Sequence, residues 1–142
     1  MNRWLIAGGV LSAAAALLHV AVIVGGPAWY RFFGAGEAMA RSAAAGSWYP
    51  PAVTAAIALI LASWAAYAFS GAGLIPRLPL LRTALVLISL VYLLRAVLWI
   101  PIVLSQGNGL DAFTVWSSLI VLVYGLAYAL GTWTGWRAMS QG

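Results

Sequence analysis

Residues 80–104 read LLRTALVLISLVYLLRAVLWIPIVL, and Arg82 and Arg95 are the charged side chains in that run. As an α-helix rising about 1.5 Å per residue, this stretch crosses the roughly 30 Å hydrocarbon core of a bilayer. Three further apolar runs of spanning length flank it. One covers 4–26 and ends at Gly25-Gly26-Pro27, one follows Pro50-Pro51 to about Ser70, and one runs from Asp111 to about Trp133. Glycine and proline mark every boundary, as helix-ending chemistry requires. The sequence therefore predicts an all-α fold: a four-helix transmembrane bundle, up-down-up-down, with helices at approximately 4–26, 51–70, 80–104 and 111–133 in a single domain over 1–142.

Composition leads to the same conclusion. The chain is 65% hydrophobic and 6% charged, with a mean hydropathy of +1.01, whereas a soluble domain carries about a quarter charged residues. Polar residues are too few to cover such a chain in water, so lipid is its natural solvent. The short basic start at Met1-Asn2-Arg3 imitates a signal peptide, but a secretory apolar core runs about 7–15 residues. The longer 4–26 run reads as a retained helix.

All seven basic residues are arginine, and the acids are Glu37 and Asp111. The arginines are scattered singly, with no polar basic stripe to follow a phosphate backbone, which argues against a nucleic-acid partner. Anionic lipid headgroups are the natural counter-charges. Alanine-rich, lysine-free usage suggests a GC-rich bacterial genome, hence an inner (plasma) membrane location. The absence of cysteine excludes disulfides, thiolate metal sites and thiol catalysis. Arg3, Arg77, Arg82 and Arg137 on one side against Arg31 and Arg41 on the other predict cytoplasmic N- and C-termini.

The connections are unequal. Two are short and imply antiparallel neighbours. The first, residues 27–49, is long and extracytoplasmic on this topology. It carries Trp29, Tyr30, Phe32, Phe33, Trp48 and Tyr49, rings that favour the headgroup level. Its middle, 36–45, suits a short interfacial helix with Glu37 and Arg41 paired at i, i+4.

Ionisable groups at membrane depth are functional candidates because they are costly there. His19 falls roughly 10 Å, and Arg95 roughly 13 Å, below the outer face by helical rise. Asp111 and Glu37 belong to that side too, so the unusual residues gather in the outer half. Gly8, Ser12 and Ala16 form a small-residue ridge that His19 continues. Asp111, Thr114, Ser118, Gly125, Ala129 and Thr132 make a polar and small stripe on the last helix within about 60°. Tyr92, Arg95 and Trp99 share a face of the third helix, and Thr54, Ala58, Ala62 and Ala65 form a ridge on the second. The expected ligand-binding set is His19, Tyr92, Arg95, Trp99, Asp111, Thr114 and Glu37. No residue is assigned a catalytic role; His19 is the best acid–base group, its ordinary pKa lying closest to neutrality.

Each residue also has a structural reading. Arg95 could pair with Asp111 or snorkel to headgroups, and Asp111 suits a helix N-cap. For Glu37 the local pair with Arg41 suffices, and for His19 a hydrogen bond across a helix interface does. Pro101 should weaken the end of the third helix, leaving the Val97 carbonyl without its usual donor. His19, Glu37 and Asp111 are the whole supply of metal ligands, so no metal site is expected. The chain specifies no cofactor.

The stretch Gly26-Pro27-Ala28-Trp29-Tyr30-Arg31-Phe32-Phe33-Gly34-Ala35-Gly36-Glu37 resembles one in small bacterial four-helix integral membrane proteins of no assigned activity. That resemblance implies the fold over most of the chain and no site. Trp48-Tyr49-Pro50-Pro51 is superficially similar to tryptophan-rich sensory proteins, but those have five helices and further tryptophan motifs absent here. Small multidrug transporters carry a carboxylate in the first helix, where this chain has only His19.

The leading expectation is a pocket in the outer half of the bundle that binds a small amphipathic or lipid-like molecule, its polar head on Arg95. The alternatives are a structural or accessory subunit docked on a membrane-protein partner, and a homo-oligomeric channel or transporter.

Overall fold

A computed structural model describes residues 2–33, 37–107, 109 and 112–141. Among these, every regular element is an α-helix: α1 Arg3–Gly25, α2 Pro27–Phe32, α3 Glu37–Ala44, α4 Tyr49–Gly71, α5 Leu81–Ser105 and α6 Ala112–Gln141. Helices α1, α4, α5 and α6 are each long and apolar enough to cross a membrane, which fits a multi-pass membrane protein.

The ends of these helices follow local chemistry. Pro50 and Pro51 lie inside the first turn of α4, where their missing N–H groups would have had no partner anyway. Gly26 adopts φ 77°, breaking the chain between α1 and α2, and Pro27 opens α2. Helix α5 continues through Pro101 to Ser105. Helix α6 runs past the expected stop near Trp133 to Gln141. Its late glycines are contact points and not breaks: a Cβ on Gly131 would stand 2.6 Å from Leu5 Cγ, and one on Gly135 would stand 2.5 Å from Asn2 Nδ2.

The chain forms two compact units, Met1–Ser12 with Trp64–Gly142, and Ala13–Ser63; α1 and α4 contribute to both. In the first unit, small residues let helices approach closely. A Cβ on Gly8 would meet the Tyr128 ring at 2.9 Å, and one on Gly125 would meet Leu93 at 2.7 Å. Asn2 donates to the Gly131 carbonyl at 2.7 Å. The turn before α5 is held by Ser70, whose hydroxyl donates to Pro76 O at 3.1 Å and accepts from Leu78 N at 3.0 Å. Tyr67 donates to Pro79 O at 3.1 Å.

At the centre of this unit lies a directed hydrogen-bond chain. Tyr128 donates to the Trp64 carbonyl at 3.0 Å, because a carbonyl can only accept. Tyr128 has thus spent its proton, so Ser12 must donate to it across 2.8 Å. Ser12 in turn must accept from Tyr92 across 2.7 Å. The order Tyr92, Ser12, Tyr128, Trp64 links α5, α1, α6 and α4. Rings pack around it, Tyr92 lying 5.0 Å from Trp64, 5.4 Å from Tyr124 and 5.3 Å from Tyr128 between centroids.

The second unit is built around Val22, Tyr30 and Ala40, with Phe33, Met39 and Ala43 packed against them. Thr54 donates to Pro50 O at 2.7 Å, so Tyr30 donates to Thr54 across 3.0 Å. Arg31 clasps Glu37 with two 3.0 Å hydrogen bonds, and Arg41 lies 3.9 Å from the same carboxylate. The expected local pair with Arg41 is therefore the looser of two. Glu37 is held below the ordinary carboxylate range, first by the Arg31 hydrogen bond and then by the nearby positive charges.

The burial pattern corrects one expected ridge. On α4 the enclosed line is Thr54, Ala58, Leu61, Ala65 and Ala68, and Ala62 is exposed. An ideal i+4 ladder drifts around a 3.6-residue helix, so Leu61, at i+3 from Ala58, takes the inward place.

Two outcomes follow. Tyr128→Phe leaves the Ser12 proton without its acceptor, whereas Tyr92→Phe removes only the first donor and orphans no proton. The first should destabilise the protein in detergent by about 1–2 kcal/mol and the second by less than about 1 kcal/mol; equal losses in thermal unfolding would contradict the assigned direction. For Glu37, the folded-state pKa lies below the unfolded one, so the clasp holds above the unfolded pKa and is lost as pH falls through the folded value. By NMR titration, Arg31→Gln should return the Glu37 midpoint toward its ordinary 4.5, and Arg41→Gln should move it much less.

Candidate functional site

Between the first half of α5 and the last third of α6 lies a half-open groove of about 840 Å³, within the range of small-molecule pockets. Val86, Leu90 and Leu93 line it from α5, and Ala129, Trp133, Trp136 and Arg137 line it from α6. Ser89, Thr132 and Thr134 also face it, yet each has turned its proton inward. Ser89 donates to Leu85 O at 2.7 Å, Thr132 to Tyr128 O at 2.7 Å and Thr134 to Leu130 O at 2.8 Å. Hydroxyls spent on their own helix backbones leave the stretch between Leu93 and Val86 apolar in practice, and the wall's donors are those of Arg137 and the two tryptophans.

One end of the groove is basic and aromatic. The Arg82 guanidinium lies over the Trp136 ring, 3.7 Å from its centroid, a cation–π contact strengthened where water is scarce. Its Nε is enclosed and has no hydrogen-bond partner among the described residues. Arg137 belongs to the groove wall, and Arg77 donates to the Met139 carbonyl near the end of α6, satisfying a helix-terminal acceptor. Among the described residues, the ion pairs are those of Glu37 with Arg31 and Arg41. Arg77, Arg82 and Arg137 therefore have no acidic partner among the described residues.

The sequence-predicted residues lie elsewhere. Tyr92 is buried in the hydrogen-bond chain. Arg95 sits 4.6 Å from the Trp99 ring centroid on the same helix, with its Nη1 enclosed and unpartnered among the described residues. Thr114 is buried near the start of α6, while Asp111 lies outside the described residues, as does its expected pairing with Arg95. His19 and Glu37 belong to the second unit. The His19 Nδ1 is 2.7 Å from the Ala15 carbonyl of its own helix, so Nδ1 carries a hydrogen and donates it, because a carbonyl can only accept. Its hydrogen bond runs along its own helix and not across an interface. None of these residues lines the α5/α6 groove.

The sequence pattern marks Trp133 only as a span end and Arg77, Arg82 and Arg137 only as topology signals. The signal for more was the Pro76 to Pro79 turn, which brings Arg77 and Arg82 to one helix end. Among the described residues, no three metal-ligating side chains gather. No protein-family model matches the chain, and no curated protein or solved structure was found to be similar to it.

Proposed function

We propose that this is a multi-pass protein of a bacterial inner membrane that binds a lipid-like amphiphile, its tail lying in the α5/α6 groove. The observation that carries the reading is a groove of ligand size whose three wall hydroxyls, on Ser89, Thr132 and Thr134, have spent their protons internally, which leaves its polar donors to Arg137 and the two tryptophans. Such a wall suits an alkyl chain and gives a polar solute little to bind. An up-down-up-down order is supported by the pairing of ends: Leu5 with Gly71 and Gly131, Gly71 with Leu85, and Arg82 with Trp136. With cytoplasmic termini, as the arginine count favours, the groove opens to the cytoplasmic leaflet and residues 27–49 face outward.

A second reading, closer to the sequence expectation, keeps the polar head in the outer half at Arg95. Its support is the enclosed Nη1 beside Trp99 with no partner among the described residues.

Native mass spectrometry from mild detergent separates the two. The wild-type protein should retain one lipid-sized molecule. Ala129→Trp, which fills the groove, should lose it and Arg95→Gln should keep it. The reverse pattern would favour the outer site, and retention by both variants would remove both readings. The cysteine-free chain also permits a topology test with an impermeant maleimide. Ser47→Cys should label from outside intact spheroplasts, whereas Asn2→Cys and Ser140→Cys should label only after permeabilisation.

A further inference from the structure

We infer that the groove's occupant is a phosphate-bearing anionic lipid whose headgroup meets Arg82 and Arg137 at the basic end; this rests on the reading that the groove takes an alkyl tail. The charge inventory points to it. The chain holds seven arginines and two acidic side chains, and Glu37 is committed to Arg31 and Arg41. Arg77 is engaged by the Met139 carbonyl. Arg82 is fixed by the Trp136 ring face, which positions a guanidinium without neutralising it. Arg137 forms part of the groove wall itself. Arg137 thus stands in the wall of an apolar trough, and Arg82, outside the lining itself, is held against the ring of the groove-lining Trp136; neither has an acidic partner among the described residues.

The shape of that end selects the class of ligand. Guanidinium groups present planar forks of N–H donors that match phosphate oxygens. A zwitterionic headgroup would bring its own cation toward this doubly basic end and lose much of the attraction. Trp133 and Trp136 suit the level where acyl chain gives way to headgroup. A lipid phosphate is favoured over a free ion because the apolar trough runs directly from the arginines along Leu90 and Leu93, so tail and head are held together.

The test reconstitutes the full chain in nanodiscs of equal parts phosphatidylcholine and phosphatidylglycerol with identical acyl chains. The lipid retained after extraction is then weighed by native mass spectrometry. The wild type should retain phosphatidylglycerol in preference, by about fivefold per arginine engaged. Arg82→Gln with Arg137→Gln should still retain one lipid, now without preference, and Arg82→Lys with Arg137→Lys should restore most of it. Monodisperse elution of each variant guards against simple misfolding. Retention without preference in the wild type would overturn the headgroup inference and leave the groove reading intact. No retained lipid at all would instead remove the groove reading. A preference that persists in the double glutamine variant, or that excess inorganic phosphate abolishes, would also overturn the inference.

Discussion

The first compact unit depends on satisfying hydroxyl groups where no water can reach them. Inside a bilayer an unpaired donor or acceptor costs several kcal/mol, so four polar groups brought to one place must form a closed account. They do so because the Trp64 carbonyl terminates the sequence of donors. The direction Tyr92 to Ser12 to Tyr128 to Trp64 then has no freedom left. Lipid-facing greasy surface does not specify how apolar helices rotate about their axes, since every face is equally content in hydrocarbon. A hydrogen-bond chain that touches α1, α4, α5 and α6 does specify it. Close approach at Gly8, Gly125 and Gly131 follows from the same requirement, because the hydroxyls reach one another only when the backbones come near.

The spans were legible because hydrophobic length against bilayer thickness is a one-dimensional property, and residues 80–104 carry it without any tertiary information. The inward faces were largely legible too. Gly8, Ser12 and Ala16 on α1, and Thr114, Ser118, Gly125 and Thr132 on α6, are buried as their helical phase implies. What could not be read was the use made of those faces. Ser12 looked like a small spacer in a packing ridge, yet its hydroxyl is the middle of the chain. Tyr128 carries no distinguishing signal in the sequence, yet it is fully enclosed. The difference lies in which residues of distant helices fall at one level, and that depends on axial register, which no local pattern encodes. For the same reason the polar stripe of α6 suggested a solute path, while its Thr132 hydroxyl in fact closes on its own helix.

Small residues bear on the accessory-subunit reading as well. A partner that packed on the small-residue faces around Ser12 and Gly125 would need those residues to be available. Both are already used within this chain, Ser12 by two tyrosines and Gly125 by Leu93. The surface left over on α5 and α6 is bulky: Leu87, Leu94, Trp116, Leu119 and Val123 are about half exposed or more. Branched and aromatic side chains of this kind suit fluid acyl chains better than they suit tight helix–helix contact. Helix α4 still exposes the small Ala52, Ala56, Ala62 and Ser63, so a partner would find its small-residue face there, whereas the α5/α6 side offers a recess with spent hydroxyls and a cationic end.

Charge placement closes the argument. Glu37 is spent on a local clasp: it binds Arg31 and Arg41 in a stretch that also exposes Trp29, Phe32 and Trp48. One carboxylate shared by two guanidiniums offsets part of the positive charge of this aromatic segment. Among the described residues, the arginines around the α5/α6 groove receive no such treatment. Arg82 is given a ring and Arg77 a carbonyl, both of which orient a guanidinium and leave its charge in place. Were these arginines needed only as rim charges, flexible side chains reaching water would serve, since snorkelling needs no fixed partner. Fixing Arg82 costs side-chain freedom and leaves Nε enclosed without a partner among the described residues. That cost is offset if the immobilised cation meets an anion from the membrane, and the apolar groove beside it makes a lipid the natural carrier of that charge.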